Sequence, residues 1–252
     1  MTQPKYAKQD KNGRRYYTDP NTLKRVPSVT TIIGVLNKPL LVPWAAKVSA
    51  EYAVDNWPEL SRLPYEARVN AIKAAHRNSR DTAANLGDSI HLYAEAYLKG
   101  EPTPAITDEN ESAIGALFGF FGTHKPELLG AEISIWSEKG YAGTFDLLAK
   151  MGGETWLLDY KTGKGIYPEV GLQLAALGKG DRILNDELDV MPKIDRYGVI
   201  HVRPDHEFDG QAVAAFARLH EVHMIEESYG AFLSALDLYN WQKLKGVISD
   251  AA

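Results

Sequence analysis

The chain contains no cysteine. That excludes a disulfide framework, a zinc–thiolate site and a cysteine-ligated iron–sulfur cluster, so any metal has to be held by histidine, carboxylate or backbone oxygen. Long apolar runs are missing as well. No stretch approaches the roughly 18–20 residues needed to cross a bilayer, and the opening MTQPKYAKQDKNGRRYY lacks the apolar core of a signal peptide. A cytoplasmic protein with no membrane partner is therefore expected. Nor is positive charge in excess: Lys plus Arg number 28 against 33 Asp plus Glu, a formal net charge of −5. That sign argues against a protein that coats nucleic acid and leaves room for an enzyme with a local basic groove.

What is present suits one sizeable α/β core: 252 residues, 44% hydrophobic and 24% charged, with no repeat, low-complexity tract or dividing linker. A single domain is expected, with a hairpin and helical extension over 1–78, a core over 79–204 and a helical C-terminal region over 205–252. Turn signals at Asn12-Gly13 and Asp19-Pro20-Asn21 predict a hairpin of Arg14–Thr18 and Leu23–Val26. Ser28 is placed to cap a short helix that Asn37-Lys38-Pro39 ends, and helical periodicity predicts Pro43–Asn56, Pro64–His76 and Ser79–Lys99, the last stopped by Gly100. From Glu132 the period becomes two: AEISIWSE, GTFDLLAK and ETWLLDYK form an antiparallel meander with turns at Lys139-Gly140 and Gly152-Gly153. Pro168 opens another helix, RYGVIHVRP is a strand, and a long amphipathic helix is expected over Asp209–Gly246.

The Gly152-Gly153 turn allows strand register to be counted. A two-residue loop pairs Met151 with Glu154, and counting inward brings Asp146 opposite Asp159. Two carboxylates facing each other across adjacent strands, roughly 5 Å apart, repel unless a cation lies between them. Alternation puts Lys161 on the face of Asp159 and turns Trp156, Leu158 and Tyr160 away. Two acids and an ammonium suit a magnesium or manganese ion, with the lysine positioned to orient a water and offset charge on a phosphoryl oxygen. This is equipment for phosphodiester hydrolysis. Glu132 is a tempting third acid, but a loop centred on Lys139-Gly140 pairs it with Leu147, on the face opposite Asp146, unless a bulge intervenes.

Gly143-Thr144-Phe145-Asp146 followed by Asp159-Tyr160-Lys161-Thr162-Gly163 resembles the signature of the PD-(D/E)XK nuclease superfamily, RecB-like branch. Leu86-Gly87-Asp88-Ser89-Ile90-His91 is similar to that branch's G-x-x-x-H helix motif, and Gln173 matches the glutamine of its Q-x-x-x-Y motif, with Leu177 in place of the tyrosine. The VPSVTTIIGVLNKP stretch and the QLAAL helix look like those of RecB-like exonucleases of actinobacterial phages, related to a CRISPR-associated exonuclease family. The resemblance implies a restriction-endonuclease-like core, a mixed central sheet flanked by helices, with extra N-terminal and C-terminal helices. It further implies His91, Asp146, Asp159 and the Tyr160 carbonyl as ligands of magnesium or manganese, and Lys161 as the catalytic lysine with Gln173 beside it. Glu95, one turn after His91, is a candidate partner for the imidazole. The implied activity is a DNA nuclease, an exonuclease, in phage recombination, repair or replication in the host cytoplasm, with DNA and a phage recombination or replication protein as partners. No iron–sulfur cluster and no ATP are expected: Lys161-Thr162-Gly163-Lys164-Gly165 lacks the order of a phosphate-binding loop. Arg14, Arg15, Lys164 and Arg182 are the candidate DNA contacts, although an exposed hairpin with solubilising charges explains Arg14 and Arg15 equally well. The alternative is a nuclease fold without turnover, serving as a DNA-binding or assembly subunit. His220 and His223, in LHEVHM, lack the spacing of a zinc peptidase and read as residues of a solvated helix face.

Overall fold

The structure, a computed structural model, describes residues 4, 6–184 and 190–244. The N-terminal turn signals act as expected. β1 (Ala7–Gln9), β2 (Arg15–Thr18) and β3 (Arg25–Pro27) form an antiparallel sheet, and Asp10 Oδ1 closes its first turn by accepting from the N–H groups of Asn12 and Arg14. Ser28 caps α1 (Val29–Ile33), its Oγ accepting from Thr31 N–H at 3.0 Å.

By compactness the chain divides into residues 1–36 with 89–252, and residues 37–88. The second unit holds α2 (Leu41–Asp55), α3 (Trp57–Leu60) and the start of α4 (Tyr65–Lys99). The sequence predicts two helices where α4 runs unbroken for 35 residues. No residue near Arg77 and Asn78 lacks an N–H or requires positive φ, so the i→i−4 bonds continue through them. Gly100, at φ 69, ends the helix as expected.

α5 (Glu111–His124) escapes the sequence reading. Gly115, Gly119 and Gly122 lower its intrinsic propensity, and it is held instead by the buried face of Ala113, Ile114, Leu117, Phe120 and Phe121. After it come β4 (Glu127–Ser137), β5 (Tyr141–Met151), β6 (Glu154–Lys161), α6 (Glu169–Gly178), β7 (Arg182–Ile183), β8 (Arg196–Arg203), β9 (His206–Phe208), β10 (Gln211–Val213), β11 (Phe216–Glu221) and α7 (Ile225–Trp241). The central sheet has the order β11-β8-β6-β5-β4-β7. Its β6–β8 pair is parallel and the others antiparallel, so the α/β molecule carries a large mixed sheet flanked by helices. α1, α6 and α7 bury Ile32, Leu174 and Phe232 against Leu148 and Leu157 of the sheet.

The long helix expected over Asp209–Gly246 is not formed. Asp209 and Gly210 take φ 52 and 72, the paired left-handed conformations of a type I′ turn, and β9 pairs with β10 around them. β11 then pairs along β8 from Phe216↔Arg203 to Glu221↔Gly198. β8 needs that partner: β6 takes the hydrogen-bonding groups on one of its edges only, and β11 takes the other. Helix begins at Ile225, and the expected end at Gly246 lies outside the described residues. No helix among the described residues is long and apolar enough to cross a membrane.

Candidate functional site

The Gly152-Gly153 turn, φ 60 and 85, sets the register the sequence predicts: Met151↔Glu154 through Leu147↔Leu158. The next couple is Asp146 and Asp159, and there the ladder stops. β5 keeps pairing with β4 as far as Tyr141, and β6 keeps pairing with β8 as far as Lys161↔His201. The two strands therefore part, each held by its other neighbour, with Asp146 and Asp159 at the vertex. Asp146 Oδ2 accepts from Tyr160 N–H at 2.9 Å, taking a donor that continued register would offer to Phe145.

Glu132 joins them, against expectation. Ser137 pairs with Tyr141, enclosing a three-residue loop that ends on Gly140 at φ 96, the form that follows a type I turn with a left-handed glycine. A loop one residue longer than two shifts the count, and a one-residue shift exchanges the faces of a strand. Glu132 falls opposite Asp146, between the pairs Ala131↔Leu147 and Ile133↔Phe145. Its backbone is left-handed, φ 53, a conformation that costs of order 1–3 kcal/mol in a non-glycine residue and gathers at functional sites.

α4 supplies His91. Its Nδ1 lies 3.4 Å from Glu132 Oε1 and 3.6 Å from Asp146 Oδ1, and its ring meets that of Tyr160 edge-on, centroids 5.4 Å apart. Ligand atoms of His91, Glu132 and Asp146 all lie within 4.8 Å of one another. The three side chains are 12–20% exposed, enclosed enough to feel each other's charge and open enough to meet a ligand. Burial works against charge on His91, but Asp146, Glu132 and Asp159 outweigh it and hold the imidazole up at about 9. Burial and then Asp159 push the Asp146 carboxyl upward.

The other half is a chain of polar contacts between β6 and α6. Asp159 is buried, 2% exposed; its Oδ1 accepts from Gln173 Nε2 at 2.7 Å and its Oδ2 lies 2.5 Å from Lys161 Nζ. Lys161 Nζ also donates to Gln173 Oε1 at 3.4 Å. Burial pulls the ammonium's pKa down, yet Asp159 and Asp146 raise it overall. His201, which the sequence reading missed, donates from Nε2 to the Gly163 carbonyl at 2.8 Å and ties down the loop after Lys161. Its position beside Lys161 depends on the parallel β6–β8 pairing, for which no short-range signal exists.

A comparison with models of known protein families finds no match, and a comparison with functionally characterised proteins finds none either. Geometry therefore carries the reading.

Several candidates stand elsewhere. Glu95 pairs with Lys99 at 3.0 Å, one turn along its own helix, so Asp146 and Glu132 are the partners of His91. Arg182 is engaged by Asp19 and by Glu138, and its guanidinium lies 5.2 Å over the Trp136 ring; it fastens the N-terminal strands to the β4–β5 hairpin. Lys164 is exposed after β6, and Arg14 and Arg15 line a cleft between the N-terminal sheet and α7. Leu177 is buried, and an added Cβ at Gly143 would lie 2.6 Å from its Cδ2; glycine there lets α6 sit down on β5. His220 lies on β11 and His223 in the following loop, where its Nδ1 is 3.7 Å from Glu221 Oε1.

Proposed function

We propose that this chain is a divalent-metal-dependent nuclease of the PD-(D/E)XK type, RecB-like branch, that hydrolyses DNA phosphodiesters without ATP. The observation that carries the reading is the parting of β5 and β6 at Asp146 and Asp159. It gathers His91, Glu132 and Asp146 on one side and Asp159, Lys161 and Gln173 on the other.

The donor set fits magnesium or manganese. Its carboxylates are hard oxygen donors, it has one imidazole and no thiolate, and three acids converge with only His91 and Lys161 to offset them. His91, Glu132 and Asp146 would hold the ion, with Asp159 next to them. A bound ion there supplies Lewis-acid activation of a phosphoryl oxygen and a more acidic water.

The remaining work belongs to the chain's own groups. Lys161, its pKa raised, stays protonated near neutral pH, so its role is to donate to an attacking water and to offset charge developing on the phosphoryl oxygen. Gln173 bonds both Lys161 and Asp159 and so fixes the distance between them. His201 holds the loop that follows. An exonuclease of phage recombination, repair or replication is the setting the family resemblance implies.

The test is incubation of labelled single- and double-stranded DNA with magnesium, manganese or EDTA, beside Lys161→Ala. Metal-dependent cleavage, lowered in the variant by about a hundredfold or more, is expected. Cleavage that persists in EDTA, or that the variant retains, overturns the proposal. Metal-dependent binding without cleavage assigns the chain instead to the DNA-binding subunit reading.

A further inference from the structure

Net charge hides a local concentration of cations. A cleft of about 790 Å³ between the N-terminal sheet and the end of α7 is lined by Arg14, Arg15, Thr30, Tyr239 and Lys243. An adjoining hollow of about 400 Å³ shares both arginines and Lys243, and adds Arg25 and Tyr16. Among the described residues, no carboxylate oxygen lies within 4.0 Å of the charged groups of Arg14, Arg15, Arg25 or Lys243. Asp10 lines this hollow, its Oδ1 accepting from the N–H groups of Asn12 and Arg14; the Arg14 N–H, and further the charges of Arg14 and Arg25, hold its pKa below the ordinary value.

Two of the four cations are braced by aromatic rings. The Arg25 guanidinium lies 3.6 Å over Tyr16 and Lys243 Nζ 3.7 Å over Tyr239. Ring contacts of this kind position a charge without cancelling it. Four cations around one hollow whose lining holds a single acid, Asp10, in a chain of net charge −5, call for a ligand carrying several negative charges in series.

We infer that this cleft binds the sugar–phosphate backbone of a single DNA strand and delivers it to the Asp159–Lys161 site. The delivery rests on the nuclease reading; the binding does not. Arg15 and Thr30 also line a recess of about 20 Å³ together with Thr144 and Gln173. That volume admits little more than a water, so the recess is a wall shared by cleft and site. Gln173 is the residue that bonds Asp159 and Lys161. A single strand is the occupant that fits. The cleft is of ordinary ligand-pocket size, roughly 300–1,000 Å³, which suits a few nucleotides, whereas a duplex brings two backbones on either side of a minor groove about 6 Å wide.

Fluorescence anisotropy with a labelled oligo-dT of about 15 nucleotides, in EDTA so that nothing is cut, compares the full chain with Arg14→Ala/Arg25→Ala/Lys243→Ala. All three side chains are exposed, and thermal melting checks that the variant is folded. The expected result is a loss of roughly tenfold or more near 0.1 M salt, with a salt-dependence slope shallower by about 2, at about 0.7 per phosphate contact on a single strand. Affinity and slope equal to the parent overturn the proposal. So does a duplex that binds as tightly and is weakened as much.

Hydrolysis of bis(p-nitrophenyl) phosphate with manganese reads the chemical centre without a strand. It is expected in the parent and lost in Lys161→Ala. A parent protein inactive on this diester sinks the nuclease reading, while the anisotropy still decides for or against the cleft.

Discussion

Glu132 holds a left-handed backbone in the middle of an eleven-residue strand, flanked by the buried residues Ala131 and Ile133. Burial of its neighbours keeps the strand in place, and the carboxylate is turned toward His91 at the expense of local strain. Glu132→Gly is therefore expected to leave the melting temperature in EDTA unchanged or higher, since glycine relieves about 1 kcal/mol of strain and one of three converging acids is gone. Manganese affinity, read by calorimetry, should fall by at least the ~10–100-fold that loss of even an outer partner of a metal ligand costs. A clear drop in melting temperature, or undiminished affinity, contradicts this account. His91 gives a second prediction. Its folded pKa of about 9 stands above the ordinary histidine value because the neighbouring acids outweigh burial, so folding binds a proton. That stability is fully present below about 6.5 and is lost as pH rises through 9. Asp146, also pushed upward, acts in the same direction at lower pH. Urea midpoints in EDTA should fall between pH 6.5 and 9, by roughly 1–3 kcal/mol in stability, and His91→Gln should flatten the dependence. An equal slope in that variant would assign the proton elsewhere.

At the scale of elements, the contact of α6 with β5 decides what Leu177 does. The resemblance places a tyrosine at this position, but Leu177 is packed against Gly143 and Val29, whose Cγ2 lies 3.1 Å from where a Gly143 Cβ would stand. Leu177→Tyr and Gly143→Ala should each destabilise the fold by about 1–3 kcal/mol through overpacking, and the tyrosine should bring no gain in DNA affinity. A tyrosine variant as stable as the parent, by urea unfolding, would mean that the interface has room the structure does not contain. Turn chemistry accounts for how legible the sheet was. Gly152-Gly153 yields the Asp146–Asp159 juxtaposition because a two-residue loop has one register. The Lys139-Gly140 turn includes Glu138 as well, and that single residue moves Glu132 to the site. Asp209-Gly210 carries a hairpin signal as strong as any in the chain, but the helical period of 225–241 extends backward through it on paper. Pairing with the edge of β8 then outweighs that pattern.

Over the whole molecule, a buried acid joins the ties of the N-terminal strands to the central sheet, beside the packing of Tyr17 and Val26 on Trp136 and Ala142 and the Tyr17 hydroxyl bonded to Thr144. Asp19 is 1% exposed, and the Arg182 guanidinium, followed by the Asn21 N–H, holds its carboxyl well below the usual carboxylate range. A depressed carboxylate stabilises above its unfolded pKa of about 3.9, and that contribution disappears as pH falls below it. Arg182→Ala should accordingly lower the melting temperature at pH 7, with the gap to the parent narrowing toward pH 3. A gap that stays constant with pH would show that Arg182 contributes through its packing on Trp136 alone. Arg182 reads as a DNA contact in the sequence because charge alone does not say which acid will claim it.

The sequence by itself determined the things that are counted along the chain: the cap at Ser28, the stop at Gly100, the two-residue turn, and hence the register that ends at Leu147 and Leu158 with Asp146 and Asp159 next in line, and the place of Lys161 on the face of Asp159. These follow from backbone stereochemistry and strand alternation, which act over a few residues. Tertiary structure alone decided that β5 and β6 part at the vertex, that Glu132 rather than Glu95 faces His91, that Gln173 bonds Asp159 as well as Lys161, and that Lys243 joins Arg14, Arg15 and Arg25 around one cleft. Each of those depends on which edge a strand pairs with or which helix packs over it. Those choices are settled by burial and hydrogen bonding between segments far apart in the chain, where no local pattern records them.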